Sequence, residues 1–216
     1  VDGYVHQGQV HTLGLVDEVM YPGTMAFQRF ALPGTVQNDS ALRQRVRAAT
    51  DKVVRGFELD HGFFNLEFFY NPDTDDLKLI EINPRLAAQL GPLYEWTQGV
   101  DIYTTAFALA QNQPPPPAQT PRFGAAASFV WRSFGPSTCP RIPTHEDHAW
   151  LQREYPEARL YLYPKKGNSL QRDLKWLGSH RWALLNMPGL DEADLKARYL
   201  RICQRFGWPA PYDTLG

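Results

Sequence analysis

The segment Phe64–Arg85, with the sequence FNLEFFYNPDTDDLKLIEINPR, decides the fold of the first half of the chain. Two runs of aromatic and branched residues flank a turn segment rich in Asn, Pro and Asp, which is typical of a β-hairpin. When the hairpin is folded about the middle of this turn, Glu67 lies opposite Glu81 and Asn65 lies opposite Asn83. The sequence therefore predicts two antiparallel strands that carry acids and amides at facing positions.

The facing acids indicate a bound cation. Side chains alternate across a strand, so Glu81 and Asn83 share one face of the predicted sheet. Like charges directly opposite each other destabilise a strand pair by a few tenths to about 1 kcal/mol, so we expect a positive partner. Two carboxylates and an amide oxygen are the hard ligands that Mg²⁺ prefers. Glu67, Glu81 and Asn83 are therefore the predicted metal ligands.

An alternative is that the two acids lie on a solvated sheet face and bind nothing. The residues around them argue against a freely solvated strand, because Leu66 and Phe68 flank Glu67, while Ile80 and Ile82 flank Glu81. The alternative of a structural or interaction domain with a solvated hairpin nevertheless stays open.

The same residues resemble the second half of an ATP-grasp domain. The resemblance rests on Glu67, on the segment 81–85 (EINPR) and on the segment 99–101 (GVD). The opening segment 1–5 (VDGYV) is similar to the strand pair that precedes this hairpin in the family. The resemblance covers about residues 1–110, which is half of the chain.

The resemblance implies a nucleotide held between two α+β lobes. In such a domain Glu67, Glu81 and Asn83 would bind Mg²⁺ and, through it, ATP. The family implies a carbon–nitrogen ligase that activates a carboxylate as an acyl phosphate, which an amine then attacks. A module that binds nucleotide or metal without turnover is the alternative within the same fold.

Arg85 is the predicted catalytic residue. It follows Pro84, whose fixed φ makes the end of the strand rigid. A guanidinium at this position could bind a carboxylate or an acyl phosphate through two parallel hydrogen bonds. A surface salt bridge is the alternative for an isolated arginine.

Composition limits the class of protein. The chain has 216 residues, of which 43% are hydrophobic and 13% aromatic, so a globular protein with a real core is expected. The net charge of −1 and the absence of a basic stripe give no support for a nucleic-acid partner. No apolar run long enough for a membrane span and no signal peptide occur. Cys139 and Cys203 fit reduced thiols in a cytoplasmic protein.

The sequence predicts a fragment of a longer enzyme. The chain begins in mid-strand, and the family resemblance implies an upstream substrate-side domain and a first ATP-binding lobe. We expect small-molecule carboxylate and amine substrates, and we expect this lobe to be inactive without its partner lobe. The oligomeric state stays open, with a homodimer as one option.

The predicted fold class is α+β. Residues 1–113 are predicted to form the C-terminal ATP-grasp lobe, an antiparallel sheet with helices on one side. Four consecutive prolines mark residues 114–120 as a stiff connector. Residues 121–216 are predicted to form a small α/β subdomain.

The remaining elements follow from periodicity and capping residues. We predict hairpin strands over residues 1–7 and 9–16, a short strand near residues 26–30, helices over 40–57 and 101–111, and strands over 123–134, 158–163 and 181–186. Further helices are predicted from Thr144 to about Tyr155, with a capping box, and from Asp191 to Phe206.

Overall fold

The computed structural model describes residues 1–135, 141–163 and 178–211. The chain divides into two compact units, and each is built from two stretches of sequence. The first unit comprises Val1–Asp17 and Leu32–Arg122, and the second comprises Glu18–Ala31 and Phe123–Gly216. Among the described residues the fold is α+β, as predicted.

Strands and helices follow one another along the described residues. The strands are β1 (Asp2–His6), β2 (Gln9–Gly14), β3 (Asp17–Met20), β4 (Phe27–Leu32), β5 (Gly62–Asn71), β6 (Asp76–Asn83), β7 (Ala125–Ser133), β8 (Arg159–Leu162) and β9 (His180–Gly189). The α-helices are α1 (Ser40–Gly56), α2 (Gly91–Gln98), α3 (Ile102–Ala110), α4 (His145–Glu154) and α5 (Glu192–Phe206).

The first unit contains a four-stranded sheet with the order β2-β1-β5-β6. The three described pairings within it are antiparallel. Gln7 and Gly8 connect β1 to β2 with positive φ angles of 50° and 74°, which explains why a glycine stands in this tight turn. The predicted hairpin over residues 1–16 is therefore confirmed.

The β5–β6 hairpin has the predicted register at its open end. Glu67 pairs with Glu81, and Asn65 pairs with Asn83. Between Glu67 and Phe68 the register shifts, so that Phe68 pairs with Leu79. One extra residue, Ile80, therefore forms a bulge in β6.

The bulge explains why Leu77 and Leu79 do not share a face with Glu81, although the three residues are alternate positions of β6. Simple alternation would put Leu77 and Leu79 on the face that carries Glu81. The extra residue shifts the alternation by one position, so both leucines point to the other face and line a groove of about 430 Å³ against α1. The polar end of the hairpin keeps its own face as a result.

Helix α1 covers one face of the first sheet. Asp39 caps it, because its carboxylate accepts hydrogen bonds from the backbone N–H groups of Ala41 and Leu42. Val54 of α1 packs with three fully buried side chains of the sheet in one cluster: Val5, Phe64 and Leu66. A polar face is thereby left on the other side of the same strands.

Helix α2 was not predicted from the sequence. Pro92 lies in its first turn, and Gly99 ends it in the left-handed conformation with φ of 67°. A Cβ on Gly99 would lie 1.8 Å from the carbonyl oxygen of Gln119, so only glycine fits here. Proline near the start and glycine beyond the end are a recognised helix signature, and this signal could have located α2.

The second unit contains a five-stranded sheet with the order β3-β4-β7-β9-β8. Its aromatic core includes Trp131, Trp182 and Trp208 together with Phe206 of α5. Helix α4 begins with the predicted capping box between Thr144 and Asp147. Strand β3 was not predicted, while β4 contains most of the short strand expected near residues 26–30.

Cys139 lies outside the described residues, whereas Cys203 is a buried free thiol. None of the described helices is long and apolar enough to cross a membrane.

Replacing the cap of α1 tests its local stability. Asp39→Ala should lower the free energy of unfolding by about 1 kcal/mol, because two backbone N–H groups lose their acceptor. Thermal denaturation should show this as a decrease of roughly 2–4 °C in Tm. Asp39→Asn is the matched control, since asparagine caps as well as aspartate. Equal Tm values for the alanine variant and the wild type would contradict the capping role.

Candidate metal and nucleotide site

The predicted ligands lie together on the polar face of the first sheet. The pairs Glu67–Glu81 and Asn65–Asn83 are neighbours along the β5–β6 ladder. Leu66 and Ile82, which lie between them in sequence, point into the core cluster on the opposite face. The strand alternation therefore collects the four polar side chains on one surface.

The two glutamates repel each other. Burial raises the pKa of Glu67, and the negative charge of Glu81 and a hydrogen bond between the two carboxyls raise it further. Glu67 is half-buried, whereas Glu81 is exposed. In the absence of a cation, Glu67 therefore holds a proton more readily than an isolated glutamate would.

Asn83 presents its amide nitrogen to two neighbours. Its Nδ2 donates to Oε1 of Glu81 at 2.7 Å and to Oδ1 of Asn65 at 3.2 Å. Both bonds use the nitrogen, so the Oδ1 atom of Asn83 is not engaged by either of them. The nitrogen of Asn83, and not its oxygen, therefore faces the carboxylate of Glu81.

A buried polar row continues from this site into the unit. Nδ2 of Asn65 donates to Oδ1 of Asp2 at 3.1 Å. The hydroxyl of Tyr94, on α2, donates to Oδ2 of Asp2. Asp2 is 3% exposed, and its burial raises its pKa. Sequence reasoning did not assign a role to Asp2 or Tyr94, because the helix that carries Tyr94 was missed.

Arg85 brings positive charge to the same place. Its backbone N–H donates to the carbonyl oxygen of Asn83 at 2.8 Å, which forms a tight turn at Pro84. The charge of Arg85 lowers the pKa of Glu67 and of Asp2, although burial outweighs it in both groups. The side chain is exposed, so it can meet a ligand from solvent.

The donor set fits a hard divalent cation. The predicted ligands offer carboxylate oxygens and one amide oxygen, which are the atoms that such a cation prefers. Within residues 1–135, 141–163 and 178–211, no group of three or more His, Cys, Asp or Glu side chains could hold a metal. A cation at this site would therefore depend on two acids and an amide, with other ligands from elsewhere.

Comparison with known families identifies the segment that carries the site. Residues 33–116 match the family model described as the ATP-binding domain of the carbamoyl-phosphate synthase L chain. Residues 33–116 are therefore similar to the ATP-binding domain of ATP-grasp proteins. The match contains the whole β5–β6 hairpin, so the ATP-grasp resemblance of that hairpin is confirmed. The roles of the individual ATP-grasp residues stay predictions.

Solved structures share the fold over nearly the whole chain. The L-amino acid ligase from Bacillus licheniformis superimposes with a TM-score of 0.68 at 13% identity, over 94% of this chain and 49% of that one. The N5-carboxyaminoimidazole ribonucleotide synthetase from Thermus thermophilus gives 0.64 at 17% identity, over 98% and 51%. The biotin carboxylase from Campylobacter jejuni gives 0.64 at 15% identity, over 94% and 44%.

The chain thus spans about half the length of these three structures. At such low identity the likeness shows the fold alone. No curated protein matches the sequence.

A double-mutant cycle measures the repulsion at the site. In metal-free protein at neutral pH, Glu67→Gln or Glu81→Gln should each raise the free energy of unfolding by roughly 0.5–1 kcal/mol, because each removes one like charge. The double variant should gain little beyond either single variant. Urea denaturation in the presence of a chelator gives these values.

Additive effects in the cycle would show that the two carboxylates do not interact. Glutamine is the matched replacement at both positions, since it keeps the shape and the Oε1 acceptor that Asn83 uses at position 81.

Proposed function

We propose that this chain is the C-terminal lobe of an ATP-grasp ligase that joins a carboxylate to an amine. The observation that carries the proposal is the pair of facing carboxylates of Glu67 and Glu81, with Asn83 beside them, inside the segment that matches an ATP-binding domain. The charge of Arg85 offsets only part of the unfavourable environment of Glu67. A magnesium ion that brings its own nucleotide phosphates would neutralise both acids.

The proposed division of labour follows from charge and position. Glu67, Glu81 and Asn83 would hold Mg²⁺, which supplies neutralisation of the charge that develops on a transferred phosphoryl group. Arg85 would bind the acid or its acyl phosphate, since a guanidinium pairs with either through two hydrogen bonds. The amine would then attack the activated carbonyl carbon, and inorganic phosphate would leave.

Similar structures support this chemistry. One of the three neighbours is a ligase of L-amino acids, and the two others are a biotin carboxylase and an N5-carboxyaminoimidazole ribonucleotide synthetase. Because this chain spans about half of each, the proposed reaction belongs to the full-length protein, which would also supply the other wall of the nucleotide site.

Charge removal at Glu81 tests the metal site. In the full-length protein, Glu81→Gln should weaken Mg²⁺-dependent ATP binding at least about tenfold, because one anionic ligand is lost. Isothermal titration with ATP at fixed Mg²⁺ measures the change. Asp76→Asn is the matched control, since it removes the same charge from the same strand at the far end of β6.

Unchanged binding by Glu81→Gln would refute the assignment of the metal site. Equal losses in Glu81→Gln and Asp76→Asn would show a general effect of charge instead of ligation.

Removing the guanidinium of Arg85 tests the proposed catalytic role. Arg85→Ala should lower kcat for acid-dependent ADP release by about 10²–10³, because a donor to the transferred group is lost. The affinity for Mg-ATP should change much less. ADP release is measured with a panel of carboxylic acids and hydroxylamine, which traps an acyl phosphate as a hydroxamate. Arg47→Ala, on the exposed side of α1, is the matched control.

A variant that loses nucleotide affinity while its turnover stays normal would contradict the role of Arg85. Full-length protein that binds Mg-ATP but forms ADP with no acid would instead favour a binding module without catalysis.

A further inference from the structure

We propose that Asp2 is a positioning residue that orients the amides of Asn65 and Asn83, so that the Oδ1 atom of Asn83 faces the cation. This inference rests on the proposed function, because it concerns the same metal site. It assigns a role to a buried carboxylate that the proposed reaction does not use.

Asp2 is the hydrogen-bond acceptor for both of its partners. An ionised carboxylate can accept hydrogen bonds but cannot donate one. Its two oxygens accept from two different donors, the hydroxyl of Tyr94 and Nδ2 of Asn65. Burial also raises the pKa of Tyr94 well above its usual value, so that phenol stays a donor at neutral pH.

The polarity of Asp2 fixes the direction of Asn65. A primary amide has a donor end and an acceptor end, and its two orientations have nearly the same shape. Facing a carboxylate, Asn65 must present its nitrogen, because its oxygen would meet a second acceptor. Its oxygen consequently points away from Asp2 and towards β6.

The orientation of the Asn65 amide in turn determines the orientation of the Asn83 amide. Oδ1 of Asn65 requires a donor, and Nδ2 of Asn83 supplies it at 3.2 Å. The same nitrogen also donates to the carboxylate of Glu81 at 2.7 Å. With the nitrogen directed at both acceptors, the oxygen of Asn83 is turned to the open side of the site. An amide nitrogen at that place would repel a cation, whereas an amide oxygen can ligate it.

The row is also well placed to be rigid. Asp2 and Asn65 are 3% and 8% exposed, so solvent cannot replace their partners at low cost. Asp2, Asn65 and Asn83 lie on adjacent strands of one sheet, since Asp2 pairs with Asn65 and Asn65 pairs with Asn83. The backbone ladder thus holds each amide at hydrogen-bonding distance from the next.

Replacing the carboxylate of Asp2 by an amide tests the inference. In the full-length protein, Asp2→Asn should weaken binding of Mn²⁺ in the presence of ADP by about tenfold to a hundredfold, because outer partners of metal ligands contribute this much. Electron paramagnetic resonance of free Mn²⁺ measures the affinity. Asn65→Ala, which keeps Asp2 charged but interrupts the row, should weaken binding in the same direction.

Tyr94→Phe is the matched control. It removes a buried hydrogen bond from the other oxygen of Asp2 but leaves the carboxylate and its bond to Asn65. It should therefore change the affinity for Mn²⁺ by less than about threefold, whatever its effect on stability. Equal losses in Tyr94→Phe and Asp2→Asn would overturn the inference, because loosening of the fold would then explain both.

A metal-free measurement separates the two proposals. Side-chain amide resonances of Asn83 should show two hydrogen-bonded protons in the wild type, and this pattern should be lost in Asp2→Asn. Unchanged Asn83 resonances in Asp2→Asn, together with wild-type affinity for Mn²⁺, would refute the positioning role of Asp2. The metal site itself would still be tested separately by Glu81→Gln. Failure of the wild type to bind Mn²⁺ with ADP would refute the proposed function, and with it the role of Asp2.

Discussion

The repulsion between Glu67 and Glu81 is the constraint on which the polar face of the first sheet depends. The register of the β5–β6 hairpin places these carboxylates opposite each other, and burial raises the pKa of Glu67 further. A sheet would be more stable with apolar or oppositely charged side chains there. The cost is local, because α1 and the apolar face of the same strands stabilise the unit independently of the acids.

The opposite faces of the sheet therefore serve different purposes. Val5, Phe64 and Leu66 hold the strands to α1, while the polar face carries the facing carboxylates of Glu67 and Glu81. A rigid scaffold that carries an unfavourable charged surface is the usual composition of a binding site. The second unit has its own sheet and a core of tryptophans, and like charges also face each other there, because Arg132 pairs with Arg181. Burial and the charge of Arg181 lower the pKa of Arg132.

Much of the site was predictable because it depends on local chemistry. The turn residues between Asn71 and Asp76 fixed the pairing of Glu67 with Glu81, and the capping residues Asp39 and Thr144 located two helix starts. The family match over residues 33–116 agrees with the resemblance of the hairpin. The metal, the nucleotide and the role of Arg85 remain predictions, since a ligand is identified by its binding and not by strand register.

Long-range features were not predictable in the same way. The hydrogen bond between Tyr94 and Asp2 joins residues 92 positions apart, and no local pattern indicates it. Strands β3 and β4 form a sheet with β7, so residues 18–31 belong to a unit that otherwise begins at residue 123. A single boundary in the sequence, such as the proline-rich segment 114–120, cannot describe a unit that is built from two separate stretches of the chain.

The bulge at Ile80 has a consequence for how this hairpin tolerates change. The side chain of Ile80 is 60% exposed, so its chemical identity matters little to the core. Its presence matters a great deal, because deleting it would exchange the faces of the residues on one side of it. Position 80 should therefore accept most substitutions in an evolving sequence, yet almost never a gap. Ile80 acts as a spacer: it adds one residue to β6, and the chemical type of that residue is unimportant.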